Sequence, residues 1–264
     1  MGRIQAILRA ARGVAGTVLA TGAAPRGASA PGRGADDATA AAPREAAVKA
    51  AVAGLSHLPL VELPIHCQAQ RRFALMLSGD GGWAAIDKGI AGALNREGIP
   101  VVGFNCLRYF WTKRTPEDTA RDIQAVLEAY AAKWEKDAVM LVGYSRGADV
   151  LPFIVNRLPE ALRARICLSV LLGSGQHAEF EFHLTDWFRA SSRSGLPVAP
   201  ELAKMKGIPL LCVYGDRETG SLCKVLPAGL AHVQRVPGAH HFGGHYERIS
   251  TLILDELRAV PPPP

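Results

Sequence analysis

One pentapeptide, Gly143-Tyr144-Ser145-Arg146-Gly147, fits the pattern G-x-S-x-G. The apolar run from Ala138 to Val142 precedes it and a helical pattern follows it, which predicts a sharp turn between a strand and a helix. Such a turn lifts the serine hydroxyl above the sheet, and it needs glycine two positions away on either side because side chains there would collide. Ser145 is therefore the candidate nucleophile for acyl transfer, and a purely structural glycine turn is the alternative.

Two adjacent histidines, His240 and His241, are candidates for the base that a serine hydroxyl needs at neutral pH. They follow the predicted strand His232 to Val236, where the histidine belongs if the chain order is serine, acid, histidine. A G-x-x-H-F turn counted from Gly238 favours His241, with His240 as the alternative.

Two carboxylates, Glu218 and Asp216, are candidates for the acid that orients the base. They follow the predicted strand Ile208 to Tyr214. Three residues after Gly215 is the usual reach of such a loop, so Glu218 is favoured over Asp216. The other carboxylate would then pair with Arg217 on the surface.

A glycine-rich loop, Ser78 to Trp83, ends the predicted strand Phe73 to Leu77. It is expected to supply an oxyanion donor beside the backbone N–H of the residue after the serine. The candidate donors are Arg146, Gly79, Asp80 and Gly81. No GK[ST] follows, which excludes a P-loop. Asp80 has two interpretations, since it would either bind a cationic part of the substrate or hold the turn.

The segment Arg108 to Trp111 follows the next predicted strand, Ile99 to Phe104, at the same edge of the sheet. Its adjacent aromatic residues would line either the substrate or a core or lid. The candidate substrate-binding residues are Asp80, Trp83, Tyr109 and Trp111. Arg108 and Arg146 would meet an anionic group such as a lipid phosphate, or remain solvated.

The elements that must position these residues are short apolar strands alternating with amphipathic helices. This alternation predicts an α/β fold with a mostly parallel central sheet and helices on both faces. The other predicted elements are a strand at 166–172 and helices at 86–96, 115–134, 146–158 and 245–257. The stretch from Ser174 to Lys206 interrupts this rhythm, and apolar residues alternate with polar ones at Phe180, Phe182 and Leu184. A small edge element or cap is expected there.

Composition favours a globular domain, because 48 % of the 264 residues are hydrophobic and 20 % are charged. Residues 1–50 carry +4 of the net charge of +6, so the remaining 214 residues are nearly neutral. That distribution gives no support for a nucleic-acid partner. No run of 18 apolar residues occurs, and no CxxC motif or cysteine–histidine pair has metal-ligand spacing. We expect no metal and no organic cofactor.

The two ends of the chain differ from its middle. Three arginines precede a mildly apolar run and the small residues Ala28 to Ala30, which predicts a signal peptide over residues 1–30. A disordered alanine-rich leader is the alternative. Residues 31–54 are predicted to be a disordered linker, residues 55–260 the folded domain, and residues 261–264 a proline tail.

All five cysteines, Cys67, Cys106, Cys167, Cys212 and Cys223, lie in the predicted folded domain. In an oxidising compartment Cys212 and Cys223 could form a disulfide across the loop between them. In the cytosol all five would be buried thiols.

Four segments together resemble the bacterial VirJ and AcvB virulence-protein family: Leu77 to Trp83, Leu107 to Trp111, Gly143 to Pro152 and Gly238 to Phe242. The match runs from about Leu58 to Leu257. The resemblance implies an α/β-hydrolase fold, a periplasmic location in a Gram-negative bacterium, and a link to virulence and type IV secretion. For AcvB-like members it implies hydrolysis of the aminoacyl ester of lysyl-phosphatidylglycerol, an aminoacylated phospholipid at the membrane surface. Ser145 and His241 carry over onto matching motifs, and Glu218 carries over less directly.

These observations together predict a periplasmic serine ester hydrolase. The second hypothesis is a non-catalytic periplasmic accessory protein of a secretion system that keeps a hydrolase scaffold. The order of serine, acid and histidine favours the enzyme.

Overall fold

The computed structural model describes residues 36–65, 70–182 and 195–260 of the chain. The chain divides into two compact units, residues 1–41 and 42–264, and only residues 36–41 of the first unit are described. The predicted signal peptide at 1–30, the proline tail at 261–264 and Cys67 lie outside the described residues.

The predicted linker differs most from the structure. Sequence composition predicts disorder over residues 31–54, but Asp36–Ala53 forms a helix, α1. Alanine has the highest helix propensity, which favours a helix in this alanine-rich stretch. From Ala42 to Ala51 the side chains are exposed apart from the half-buried Val48, so the helix forms with little packing.

Over the described residues, the main sheet has seven strands in the order β1-β3-β2-β4-β5-β8-β9, and all neighbours are parallel except β1 and β3. The strands in chain order are β1 Leu60–Leu63, β2 Arg72–Leu77, β3 Val101–Phe104, β4 Ala138–Tyr144, β5 Ile166–Leu172, β6 His177–Ala178, β7 Leu196–Pro197, β8 Leu210–Gly215 and β9 His232–Val236. The remaining helices are α2 Ala85–Arg96, α3 Cys106–Tyr109, α4 Pro116–Lys133, α5 Arg146–Arg157, α6 Glu160–Arg163, α7 Val198–Leu202 and α8 Tyr246–Ala259. This arrangement confirms the predicted fold class.

Each face of the sheet carries its own hydrophobic core. Along β4, Val139 and Leu141 belong to the core that α4 and α5 cover, whereas Met140 and Val142 belong to the core that α2 and α8 cover. Successive strand residues point to opposite faces, so a strand buried on both sides must be apolar throughout.

The stretch between β5 and β8 interrupts the alternation, as predicted. Its small element is the antiparallel pair β6 and β7, which lies beside the predicted alternating residues. Phe180 and Phe182 are both buried, and Leu184 lies outside the described residues.

Two cysteines of the folded unit are joined. Cys212 in β8 and Cys223 form a disulfide with a Cα–Cα separation of 5.6 Å. Cys106 and Cys167 are buried free thiols. Within the described part of the chain, no helix is both long enough and apolar enough to span a membrane.

Candidate active site

Ser145 lies on the turn between β4 and α5 with φ 52° and ψ −119°. A Cβ at Gly143 would lie 2.5 Å from the carbonyl oxygen of Gly147, and a Cβ at Gly147 would overlap the carbonyl oxygen of Leu77. This confirms that the turn needs both glycines. The backbone N–H of Arg146 is the first in α5, and first-turn N–H groups have no acceptor within their own helix.

A relay of two hydrogen bonds starts at the serine hydroxyl. Nε2 of His240 lies 2.8 Å from Oγ of Ser145, and Nδ1 of His240 lies 2.6 Å from Oε1 of Glu218. The bond to Glu218 raises the pKa of His240 above its ordinary value, although burial works in the opposite direction. A neutral imidazole that donates from Nδ1 to the carboxylate presents an unprotonated Nε2 to the hydroxyl.

His241, which the turn pattern favours as the base, does not contact Ser145 and is corrected here to His240. Nδ1 of His241 hydrogen-bonds the hydroxyl of Tyr144 at 2.7 Å. The next residue, Phe242, is fully buried at φ 53°, so the chain turns inward one residue after His241. It is therefore His240, the first of the two histidines, that faces Ser145.

The two candidate acids, Glu218 and Asp216, contact different parts of the site. Glu218 is nearly buried, and its second carboxylate oxygen accepts from the N–H of Gly215 at 3.1 Å. Asp216 accepts from the N–H of Gly238 at 2.9 Å, and so holds the start of the histidine loop. The structure therefore places Glu218, the favoured residue, against the imidazole. The bond of Asp216 to a backbone N–H replaces the predicted surface pair with Arg217.

The glycine-rich loop passes beside the serine. A Cβ at Gly79 would lie 3.1 Å from the Cβ of Ser145, whereas the space around Gly81 is open. The Asp80 carboxylate accepts a hydrogen bond from Nε of Arg146. The expectation that Asp80 is available to a substrate cation, and Arg146 to a phosphate, is therefore corrected: each neutralises the other.

The aromatic candidates occupy different environments. Tyr109 is a core residue and not a substrate-binding one, because it is 2 % exposed and its hydroxyl donates to Asp122 at 2.6 Å. Trp83 packs its ring over Gly103 of β3, where a Cβ would lie 2.5 Å from the ring. Trp111 is 60 % exposed and stacks on Phe182 with ring centroids 5.5 Å apart.

Sequence reasoning missed the loop after β5. A Cβ at Gly173 would lie 3.1 Å from the His240 ring, and Gly173 has φ 59°, so glycine is required at this contact. Oδ1 of Asp149 holds the same loop by accepting from Oγ of Ser174 at 3.0 Å and from the N–H of Gly175 at 2.7 Å. Burial raises the pKa of Asp149 to about 7. Asp149 lies two residues after the end of the serine motif, and that position is the signal available in the sequence.

The sheet order, the strained serine turn and the loops at the carboxyl ends of the strands define an α/β-hydrolase fold. The family model described as "Bacterial virulence protein (VirJ)" matches residues 71–260. The chain belongs to the VirJ family, which confirms the resemblance. Among curated protein sequences, none matches this chain.

Solved structures with the same fold include esterases. The Pyrococcus furiosus esterase Pf2001 is 15 % identical, with a TM-score of 0.54 over 76 % of this chain and 90 % of its own. MenH from S. aureus is 12 % identical, with a TM-score of 0.53 over 76 % and 98 %. The esterase domain of a Rhodothermus marinus protein is 14 % identical, with a TM-score of 0.52 over 76 % and 91 %. At these identities the likeness establishes the fold.

Proposed function

We propose that this protein is a serine ester hydrolase in which Ser145 is the nucleophile, His240 the base and Glu218 the acid that orients it. The observation that carries the proposal is the continuous relay from Oγ through the imidazole to the carboxylate, with bonds of 2.8 and 2.6 Å. Both distances lie within the range that proton transfer between a nucleophile and its base requires. The esterases among its structural neighbours are consistent with this chemistry.

The reaction follows from the geometry of the relay. His240 takes the hydroxyl proton as Oγ of Ser145 bonds to the ester carbonyl carbon, and the carbonyl oxygen becomes an oxyanion. We assign the N–H of Arg146 and the loop containing Gly79 as donors to that oxyanion, because Arg146 follows Ser145 and Gly79 lies beside it. The imidazolium then gives its proton to the departing alcohol. Water repeats the sequence on the acyl-enzyme and releases the acid, while Glu218 stabilises the charged imidazole in both halves.

Fluorophosphonate labelling tests the nucleophile. The probe forms a covalent adduct with an activated serine, so we expect one adduct per chain, on the peptide that contains Ser145. A Ser145→Ala variant should stay unlabelled, and Ser56→Ala, which changes an exposed serine outside the site, should label like the wild type. Labelling of the folded Ser145→Ala protein at the wild-type rate would exclude the proposal.

We further propose that the ester is the aminoacyl ester of lysyl-phosphatidylglycerol. The family resemblance supports this substrate. Water and the lipid would give free lysine and phosphatidylglycerol. We expect lysine release from lysyl-phosphatidylglycerol vesicles, and cleavage of p-nitrophenyl acetate without lysine release would reject this lipid.

We propose a periplasmic location, which the disulfide between Cys212 and Cys223 supports because such bonds persist in oxidising compartments. Cell fractionation with thiol alkylation tests it, since the pair should resist alkylation until reductant is added. The alternative function, a non-catalytic accessory protein of type IV secretion, predicts a folded periplasmic protein that neither labels nor hydrolyses esters.

A further inference from the structure

The Arg146 side chain has no part in the proton relay, yet it is almost fully buried. Only 6 % of it is exposed. A guanidinium group stays protonated at every accessible pH, so burying it is costly unless hydrogen-bond acceptors surround it. Within the described residues its partners come from two separate segments, which we name the Asp80 loop, residues 78–82, and the 179–182 segment.

The first partner is in the Asp80 loop. Nε of Arg146 donates to the Asp80 carboxylate. The loop is held at its start, where Oγ of Ser78 accepts from the N–H of Cys106 at 3.0 Å. Gly79 lies between these two anchors and against Ser145. The arginine contact therefore ties the middle of this loop to the residue that follows the nucleophile.

Further partners among the described residues are in the 179–182 segment, where Nη2 of Arg146 lies 3.9 Å from the Glu179 carboxylate. Nη1 of Arg146 donates to the carbonyl oxygens of Glu179 at 2.9 Å and Glu181 at 2.8 Å. The guanidinium carbon lies 5.8 Å from the centroid of the Phe182 ring. The N–H of Phe182 donates to the carbonyl oxygen of Phe110 at 2.7 Å, which fastens the other side of the segment.

We infer that Arg146 is a positioning residue whose guanidinium holds the Asp80 loop and the 179–182 segment in place around Ser145. The effect that we expect this positioning to have on catalysis rests on the proposed function. Nε and Nη1 donate in different directions from one rigid plane, and they reach a carboxylate on one side and two carbonyls on the other. A lysine ammonium, a single nitrogen on a flexible stem, cannot bond to all three acceptors in this arrangement.

The two contacts have separable consequences. Asp80→Ala removes the acceptor of Nε and should loosen only the Asp80 loop. Arg146→Met removes both sets of contacts and should loosen both segments. The matched control is Arg157→Met, because Arg157 lies in the last turn of α5 and likewise bonds a carboxylate, Glu117 at 2.7 Å, and a carbonyl, Phe153 at 3.0 Å.

Hydrogen–deuterium exchange of the full chain tests the inference without relying on activity. We expect faster exchange in peptides covering 78–82 and 179–182 for Arg146→Met, in 78–82 alone for Asp80→Ala, and in neither for Arg157→Met. Wild-type exchange of either segment in a folded Arg146→Met protein would overturn the inference. If Arg146→Met unfolds, Asp80→Ala decides, and unchanged exchange at 78–82 in that variant would also overturn it.

Kinetics then test the catalytic part. We expect Arg146→Met and Arg146→Lys to lower kcat by about 10- to 100-fold, less than the loss of an oxyanion donor itself. Asp80→Ala should lower kcat and leave KM unchanged, and Arg146→Met should also raise KM for bulky esters. Rates are normalised to the active sites that fluorophosphonate titrates, so a smaller folded fraction does not imitate the effect. If the wild-type protein does not label, the proposed function fails while the exchange result stands.

Discussion

The two adjacent histidines give the sharpest test of the site. His240→Ala removes both bonds of the relay, at 2.8 Å to Ser145 and at 2.6 Å to Glu218. The loss of a triad histidine lowers kcat by about 10⁴- to 10⁶-fold. That corresponds to about 5.5–8 kcal/mol in the activation barrier.

His241→Ala removes one hydrogen bond, from an exposed ring to the Tyr144 hydroxyl. A bond of this kind contributes about 0.5–1.5 kcal/mol net, so even its full expression in the barrier lowers kcat by no more than about tenfold. The two variants should therefore differ by at least about 10³-fold in kcat.

The assay is hydrolysis of p-nitrophenyl acetate by the two variants, with circular dichroism and Tm to establish that each is folded. Added imidazole should partly restore His240→Ala, because the deleted ring leaves a space beside the serine, and should not affect His241→Ala. A larger loss of kcat in folded His241→Ala than in folded His240→Ala would refute the assignment of the base.

Three further outcomes are expected. Because the hydrogen bond to Glu218 raises the pKa of His240 above 6.5 and the base must be neutral, kcat/KM should rise with pH through an apparent pKa above that value, and Glu218→Gln should move this limb to lower pH. Tyr109→Phe should lower the free energy of unfolding by about 1–2 kcal/mol, measured by urea denaturation, and leave KM unchanged, since its hydroxyl donates to the half-buried carboxylate of Asp122. Cys212→Ser, which opens a disulfide between residues 11 apart, should cost about 2–3 kcal/mol in the same assay, and an unchanged urea midpoint would contradict a stabilising role.

The parts of the site that depend on local sterics could be predicted from sequence. The collisions that require Gly143 and Gly147 lie within a few residues of the serine or on the strand next to it, so the pattern is sufficient. Glu218 is only three residues after Gly215, so its position could also be predicted from the local sequence. The sheet could be predicted because its strands are buried on both faces and are therefore apolar throughout.

The parts of the site that depend on tertiary contacts could not be predicted from sequence. Two identical side chains, His240 and His241, stand next to each other, and the burial of Phe242 decides which of them faces the serine. The sequence presents Asp80 as an unpaired carboxylate because the arginine that neutralises it is 66 positions away. Tyr109 and Trp111 are both aromatic and lie two residues apart. The sequence does not show that Tyr109 is buried and Trp111 exposed, because that depends on where the chain turns.

The backbone of Ser145 has a consequence for the stability of the protein. A non-glycine residue at φ 52° costs stability, on the order of 1–3 kcal/mol, and glycine would relieve most of that strain. The proposed nucleophile therefore lies where glycine would make the fold more stable, so stability and the proposed activity favour different residues at position 145.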